Sequence, residues 1–190
     1  MLFCLILFLA AAPFWETASP EAWTSEQMRK LLSESPWAQL ADAAGNPGVP
    51  VPVYIATAQP LMLAEDRIRA TRKSDGEDPA WTEYREYLAE NAGKYIVLAL
   101  VLSGRDLLDN SETRRMEEES VLVVGKRKYH VTGHFPPSST DPLVRLVFPR
   151  DVKETDKTLR FELYLPGTGA PYRQAEFSLK NMVYRGHRSF

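Results

Sequence analysis

The sequence predicts an α+β domain with two layers, in which helices from the N-terminal half pack on an antiparallel, hairpin-rich sheet. In the first half of the chain, apolar residues recur at the spacing of amphipathic helices. In the second half, short apolar runs alternate with turn residues, which is typical of strands joined by hairpins. Strands that follow one another through short turns pair antiparallel, so we expect one such sheet with the helices on one side.

The predicted helices have recognisable start and stop signals. Thr24 or Ser25 can cap the first helix, and Pro36 ends it because the residue before a proline avoids helical backbone. The second helix, predicted at 60–72, is expected to place Glu65 on its polar face. Further helices are predicted at 78–93, with Asp78 as the N-cap, and in the charged stretch before residue 119.

The strands are predicted from their apolar pattern. The continuous apolar run 95–102 predicts a strand that is buried on both faces and lies at the centre of the sheet. Gly125-Lys126 predicts a hairpin turn with positive φ, whereas 42–52 is rich in glycine and proline and predicts a loop. The remaining strands are predicted at 53–57, 121–124, 129–132, 143–148, 159–165 and 175–179.

The composition is that of one globular domain, which we expect at residues 13–190. The chain has 190 residues, of which 44% are hydrophobic and 25% are charged, and its formal net charge is −2. These values exclude wholesale disorder and provide no global positive field for nucleic acid. The densest basic cluster, 126–128, is most simply the solvated tip of a hairpin.

Residues 1–12 predict a signal peptide. They form an uncharged apolar run that ends in three alanines, which fits an A-x-A cleavage site. The alternatives are an uncleaved membrane anchor and a buried N-terminal segment, but the run is shorter than the roughly 20 residues of a spanning helix. We therefore expect export, either to the periplasm or out of the cell. The only cysteine, Cys4, would leave with the signal.

Several short motifs occur at both ends of the chain and once in its middle. They are Phe14-Trp15-Glu16, Trp23-Thr24, Leu31-Leu32, Ser35-Pro36-Trp37-Ala38, Phe148-Pro149-Arg150 and 177–186 (FSLKNMVYRG). Together they resemble a family of exported bacterial proteins to which no activity is attached. The resemblance implies export and a single compact domain. It carries over no catalytic residue.

The weak candidates for chemistry are His130, His134, Ser139 and Asp141. The two histidines have a spacing that suits a metal on a helix, but a strand would place them about 13 Å apart. The sequence lacks a G-x-S-x-G elbow, and the constellation of Ser139, His134 and Asp141 is of a kind that often arises by chance. We therefore predict no catalytic residue beyond these candidates, no metal and no cofactor.

The function that the sequence favours is a non-catalytic interaction module. It would bind a protein, peptide or glycan through an exposed sheet edge or an aromatic surface. Trp15, Trp23 and Trp37 would either anchor the N-terminal helix to the core or form such a surface. The alternative is a hydrolase or metal-dependent enzyme centred on the loop 130–141. Nucleic acid is not an expected partner, and a membrane is one only if the N-terminal segment stays uncleaved.

The signal prediction is tested by expressing the chain in a bacterium and measuring the mass of the exported protein. We expect a mature N-terminus near residue 13, because small residues at 10 and 12 suit the peptidase. Replacing Ala10 and Ala12 by leucine should block processing. An exported chain that keeps Met1 would contradict the prediction.

Overall fold

The computed structural model describes residues 12–43, 49–71, 78–102, 110–138 and 140–190. The helices in these ranges are α1 (Phe14–Thr17), α2 (Ser25–Ser33), α3 (Gln59–Thr71), α4 (Pro79–Glu90) and α5 (Asn110–Glu119), with a 3-10 turn at Pro20–Ala22. The strands are β1 (Ala38–Ala43), β2 (Val51–Ile55), β3 (Tyr95–Val101), β4 (Val121–Val124), β5 (Arg127–His130), β6 (Gly133–Phe135), β7 (Leu143–Pro149), β8 (Thr158–Tyr164), β9 (Tyr172–Ser178), β10 (Val183–Tyr184) and β11 (His187–Arg188). None of the helices in the described ranges is long and apolar enough to cross a membrane.

The predicted mixed α+β class is confirmed. Nine strands form one antiparallel sheet in the order β5-β4-β8-β9-β1-β2-β3-β7-β6, and β10 and β11 form a separate hairpin. The two-layer arrangement of helices and sheet stays a prediction. The signal peptide prediction falls on residues 1–12, of which 1–11 lie outside the described residues.

The large sheet curls back on itself. Its two outermost strands, β5 and β6, follow each other in the chain and are separated only by Val131 and Thr132. The amide of Thr132 donates to the carbonyl of Val147 at 2.9 Å, so pairing with β7 begins within this link. The stretch 127–135 therefore pairs with β4 through β5 at its start and with β7 through β6 at its end. This connection is what brings the two sides of the sheet together.

The inner face of the curled sheet holds the aromatic core. The ring of Phe161 on β8 contacts the rings of Phe148 on β7 and Phe177 on β9, with centroids 5.3 and 5.7 Å apart. All three side chains are fully buried. Along β8, Leu159, Phe161 and Leu163 are buried and the residues between them are partly exposed, as in a strand with one buried face, and Tyr164 at its end is buried as well.

Local sequence signals explain the helix starts. The hydroxyl of Thr24 accepts from the amide of Gln27 at 3.2 Å, and the side chain of Gln27 accepts from the amide of Thr24 at 2.8 Å. This reciprocal pair is a capping box, so the predicted cap of α2 is confirmed. The predicted cap of α4 is confirmed too, because the carboxylate of Asp78 accepts from the amides of Ala80 and Trp81.

Three features of the sheet differ from the sequence predictions. β1 was not predicted: its alanines have low strand propensity, and it forms because β2 and β9 pair with its two edges. β1 extends to Ala43 and β2 begins at Val51, so both strands enter the range 42–52 that was predicted as a loop. β3 lies between β2 and β7 rather than at the middle of the strand order, although it is buried as predicted.

The two ends of the described chain are bound to each other. The Glu16 carboxylate accepts from the amide of Arg185 at 2.9 and 3.1 Å, and the Trp37 indole donates to the carbonyl of Ser189 at 2.6 Å. Trp23 and Trp37 are buried, so these two indoles anchor the N-terminal segment to the core. The motifs behind the family resemblance therefore have a structural role in this chain.

We expect Trp37→Ala to lower the free energy of unfolding by about 3–5 kcal/mol, because it leaves a large cavity and removes the hydrogen bond to Ser189. Urea unfolding followed by circular dichroism measures this. Leu40→Ala on β1 is the control, since that side chain is 54% exposed and its loss should change stability by less than about 0.5 kcal/mol. Equal effects of the two substitutions would contradict the prediction.

Candidate functional site

A cleft lies between the helices α2 and α3 and the strands β2, β3 and β7. Its volume of about 430 Å³ is within the range of small-molecule sites. The lining residues are Ser25, Met28, Arg29, Leu32, Pro52, Tyr54, Glu65, Ile68, Arg69, Thr71, Val101, Asp141, Pro142, Leu143 and Arg145. The cleft has apolar walls and a charged floor.

The sheet register builds one apolar wall. Val101 on β3 pairs directly with Leu143 on β7, and the pairing of Val53 with Leu100 places Pro52 opposite Val101 on the same face. The opposite wall comes from the helices. It consists of Met28 and Leu32 on α2 and Ile68 on α3.

Glu65 on α3 is the central residue of the floor and is only 6% exposed. Its Oε1 accepts from the hydroxyl of Tyr54 and from Nη2 of Arg145, the latter at 3.0 Å. Its Oε2 is buried and has no hydrogen-bond partner. Burial raises the pKa of the Glu65 carboxyl, and the charge of Arg145 opposes this rise. The floor thus holds a carboxyl group whose proton is retained more strongly than in water.

Asp141 connects two arginines beside Glu65. Its Oδ2 accepts from Nη1 of Arg145 at 2.6 Å and also from Nη2 of Arg69. Asp141 and Arg145 are 7% and 3% exposed, so their charges interact with little screening by water. The two acids and two arginines of the floor neutralise one another.

Asp78 links this network to α4. Besides capping the helix, its carboxylate accepts from Nη1 of Arg69 at 3.2 Å and from the hydroxyl of Thr140. The Thr140 hydroxyl and the other donors hold the pKa of Asp78 below its ordinary value. The guanidinium of Arg69 also lies 3.9 Å from the ring centre of Trp81. The guanidinium of Arg69 is therefore held by hydrogen bonds to Asp78 and Asp141 and by the nearby ring of Trp81.

Of the three sequence candidates that lie among the described residues, Asp141 lines the cleft and the two histidines do not. His130 is exposed, and its Nδ1 lies 3.1 Å from the carbonyl of Glu118. Nδ1 of His134 lies 2.7 Å from Oε1 of Glu117 on α5. In the described part of the chain, the side-chain hydrogen bonds of the two histidines go to α5 and the hydrogen bonds of Asp141 go to other residues. Ser139 lies outside the described residues.

The described residues contain no group of three histidine, cysteine, aspartate or glutamate side chains that could hold a metal ion. Comparison of the chain with protein-family models, curated proteins and solved structures found no match. The site must therefore be interpreted from its own geometry.

Sequence reasoning missed most of the floor. Glu65 was expected on the polar face of its helix, yet it follows Leu61 by four positions and lies on the same buried face. Arg145 interrupts the apolar run 143–148, and a charge inside a buried strand indicates a buried partner. The spacing of Glu65 from Leu61 and the charge of Arg145 within an apolar run are the two sequence features that indicate the floor.

The raised pKa of Glu65 predicts a pH-dependent stability. Above its ordinary value of 4.5, the unfolded chain releases this proton while the folded chain retains it, so stability falls as pH rises from there through the folded-state pKa. Glu65→Gln does not titrate. We therefore expect the free energy of unfolding of this variant to rise relative to wild type between pH 4.5 and 7.5, measured by urea unfolding across that range. A difference that does not change with pH would contradict the prediction.

Proposed function

We propose that this chain is an exported, non-catalytic binding protein and that the cleft holds a small molecule with an apolar body. The observation that carries the proposal is an apolar-walled cleft of about 430 Å³ above charges that are already paired. Apolar walls with a few fixed polar groups are typical of ligand sites. Export is supported by the apolar run at residues 1–12.

The carboxylates of the floor favour binding over catalysis because their oxygens are already hydrogen-bonded or enclosed. A nucleophile or general base needs a reactive atom that can reach the substrate. Here Oδ2 of Asp141 is occupied by two arginines, and Oε1 of Glu65 is occupied by Tyr54 and Arg145. The free Oε2 of Glu65 is enclosed by protein. Such a floor positions the walls of the cleft and orients a ligand.

The sequence favoured a protein, peptide or glycan bound at a sheet edge or an aromatic surface. The cleft is the better-supported site. The indoles of Trp23 and Trp37 are buried, and β5 and β6 at the two sides of the sheet are joined through two residues. A small apolar molecule, or an apolar side chain of a peptide, fits the cleft.

The alternative function, a hydrolase or metal-dependent enzyme centred on residues 130–141, has one supporting contact. The carboxylate of Glu117 is close enough to orient the ring of His134, as a general base requires. Among the described residues, His134 and Glu117 have no third histidine, cysteine, aspartate or glutamate with which they could hold a metal ion. We therefore favour binding at the cleft.

Binding at the cleft is tested with Nile red, a neutral dye that fluoresces in apolar surroundings. We expect the dye to bind the wild-type protein, and we expect Val101→Asp to weaken binding roughly tenfold, because a charge in an apolar wall must be desolvated. Val49→Asp is the matched control, since Val49 is 84% exposed and does not line the cleft. Fluorescence titration gives both affinities.

Circular dichroism should show both valine variants folded, since both side chains are exposed. Absence of dye binding to wild type, or equal weakening by the two substitutions, would overturn the proposed function.

A further inference from the structure

We propose that the ligand of the cleft is an anion with an apolar tail and that Arg29 binds its charged head. This inference rests on the proposed function and adds the chemical class of the ligand. The relevant geometry is the position of Arg29 on α2, where its exposed side chain lines the cleft beside the apolar wall.

The charge balance of the lining favours an anion. Three arginines, Arg29, Arg69 and Arg145, line the cleft together with two carboxylates, Glu65 and Asp141. These carboxylates, together with Asp78 outside the cleft, form ion pairs with Arg69 and Arg145. Arg29 is therefore the arginine of the lining that these carboxylates leave unpaired.

Arg29 is available for a ligand. Among the described residues it takes part in no ion pair, and the nearby acid of the same helix, Glu26, pairs with Lys30 at 3.3 Å. A guanidinium presents a planar fork of donors that matches a carboxylate or a phosphate. Because the side chain is exposed, this donor group is reached without moving the fold.

The helical spacing places the charged and apolar contacts next to each other. Leu32 follows Arg29 by three positions, and Ser25 precedes it by four, so all three lie on one side of α2 and line the cleft. A molecule whose tail packs on Leu32 and Ile68 would therefore bring its head within reach of Arg29. The hydroxyl of Ser25 supplies a second donor on the same side.

A cationic ligand lacks a comparable site. The carboxylate oxygens of the floor accept from arginines, from the hydroxyl of Tyr54 or from the amide of Leu143, or are buried, and Asp141 is only 7% exposed. An amine would have to desolvate beside the charge of Arg29 without an unoccupied carboxylate oxygen of the floor within its reach. A neutral molecule would gain the apolar contacts alone.

The test compares octanoate, octanol and octylamine, three probes with one tail and different heads, by isothermal titration calorimetry at pH 7.5. We expect octanoate to bind wild type roughly tenfold more tightly than octanol, and octylamine to bind most weakly. Arg29→Gln should remove the advantage of octanoate and leave octanol unchanged. Arg29→Lys should restore part of it.

Arg114→Gln is the matched control, because it removes the same charge from an exposed position on α5 that does not line the cleft. Equal affinities of octanoate and octanol for wild type, or equal losses in the Arg29 and Arg114 variants, would overturn the inference. Nile red binding that depends on Val101 would then still support the proposed function. Failure of both the dye and octanoate to bind would overturn both.

Discussion

The guanidinium of Arg145 lies in the contact between β7 and the helices, where water cannot solvate its charge. Its Nη2 donates to Glu65 on α3 at 3.0 Å and its Nη1 donates to Asp141 at 2.6 Å, and each of these partners belongs to a different segment. Removing one member of such a group leaves an uncompensated buried charge and typically costs about 3–5 kcal/mol. The position of α3 over the sheet thus depends on this network. Asp141 and Arg69 extend it to Asp78 at the start of α4.

Because the sheet is curled, its inner and outer faces carry different kinds of residues. Inward-facing residues, such as Phe148 and Phe161, form an apolar core. The outer face of β2, β3 and β7 carries Arg145 and the row from Pro52 to Leu143. Because α2 and α3 do not cover this row completely, an apolar wall remains open above a charged floor. The candidate site is the part of the outer face that the helices leave accessible.

The motifs that resemble an exported family lie away from this floor. Glu16 and Trp37 bind the C-terminal segment, and Arg150 lies 4.5 Å from the ring centre of Phe190. They join segments that are far apart in sequence. The charged residues of the cleft come from separate parts of the chain: Arg29 from α2, Glu65 and Arg69 from α3, and Asp141 and Arg145 from the start of β7 and the residues before it. The motifs therefore include one residue of the cleft wall, Leu32, but none of its charged residues.

The sequence by itself determined the local structure where side chain and backbone interact over a few residues. The capping box at Thr24, the cap at Asp78 and the turn at Gly125, whose φ is +61°, are such cases. Tertiary structure decided the rest. β1 pairs with β2 and β9 along its two edges, and the buried Glu65 is paired with Tyr54 and with Arg145, which lies 80 positions later in the chain. Long-range pairing of strands and charges has no local signature, because its energy comes from groups that folding alone brings together.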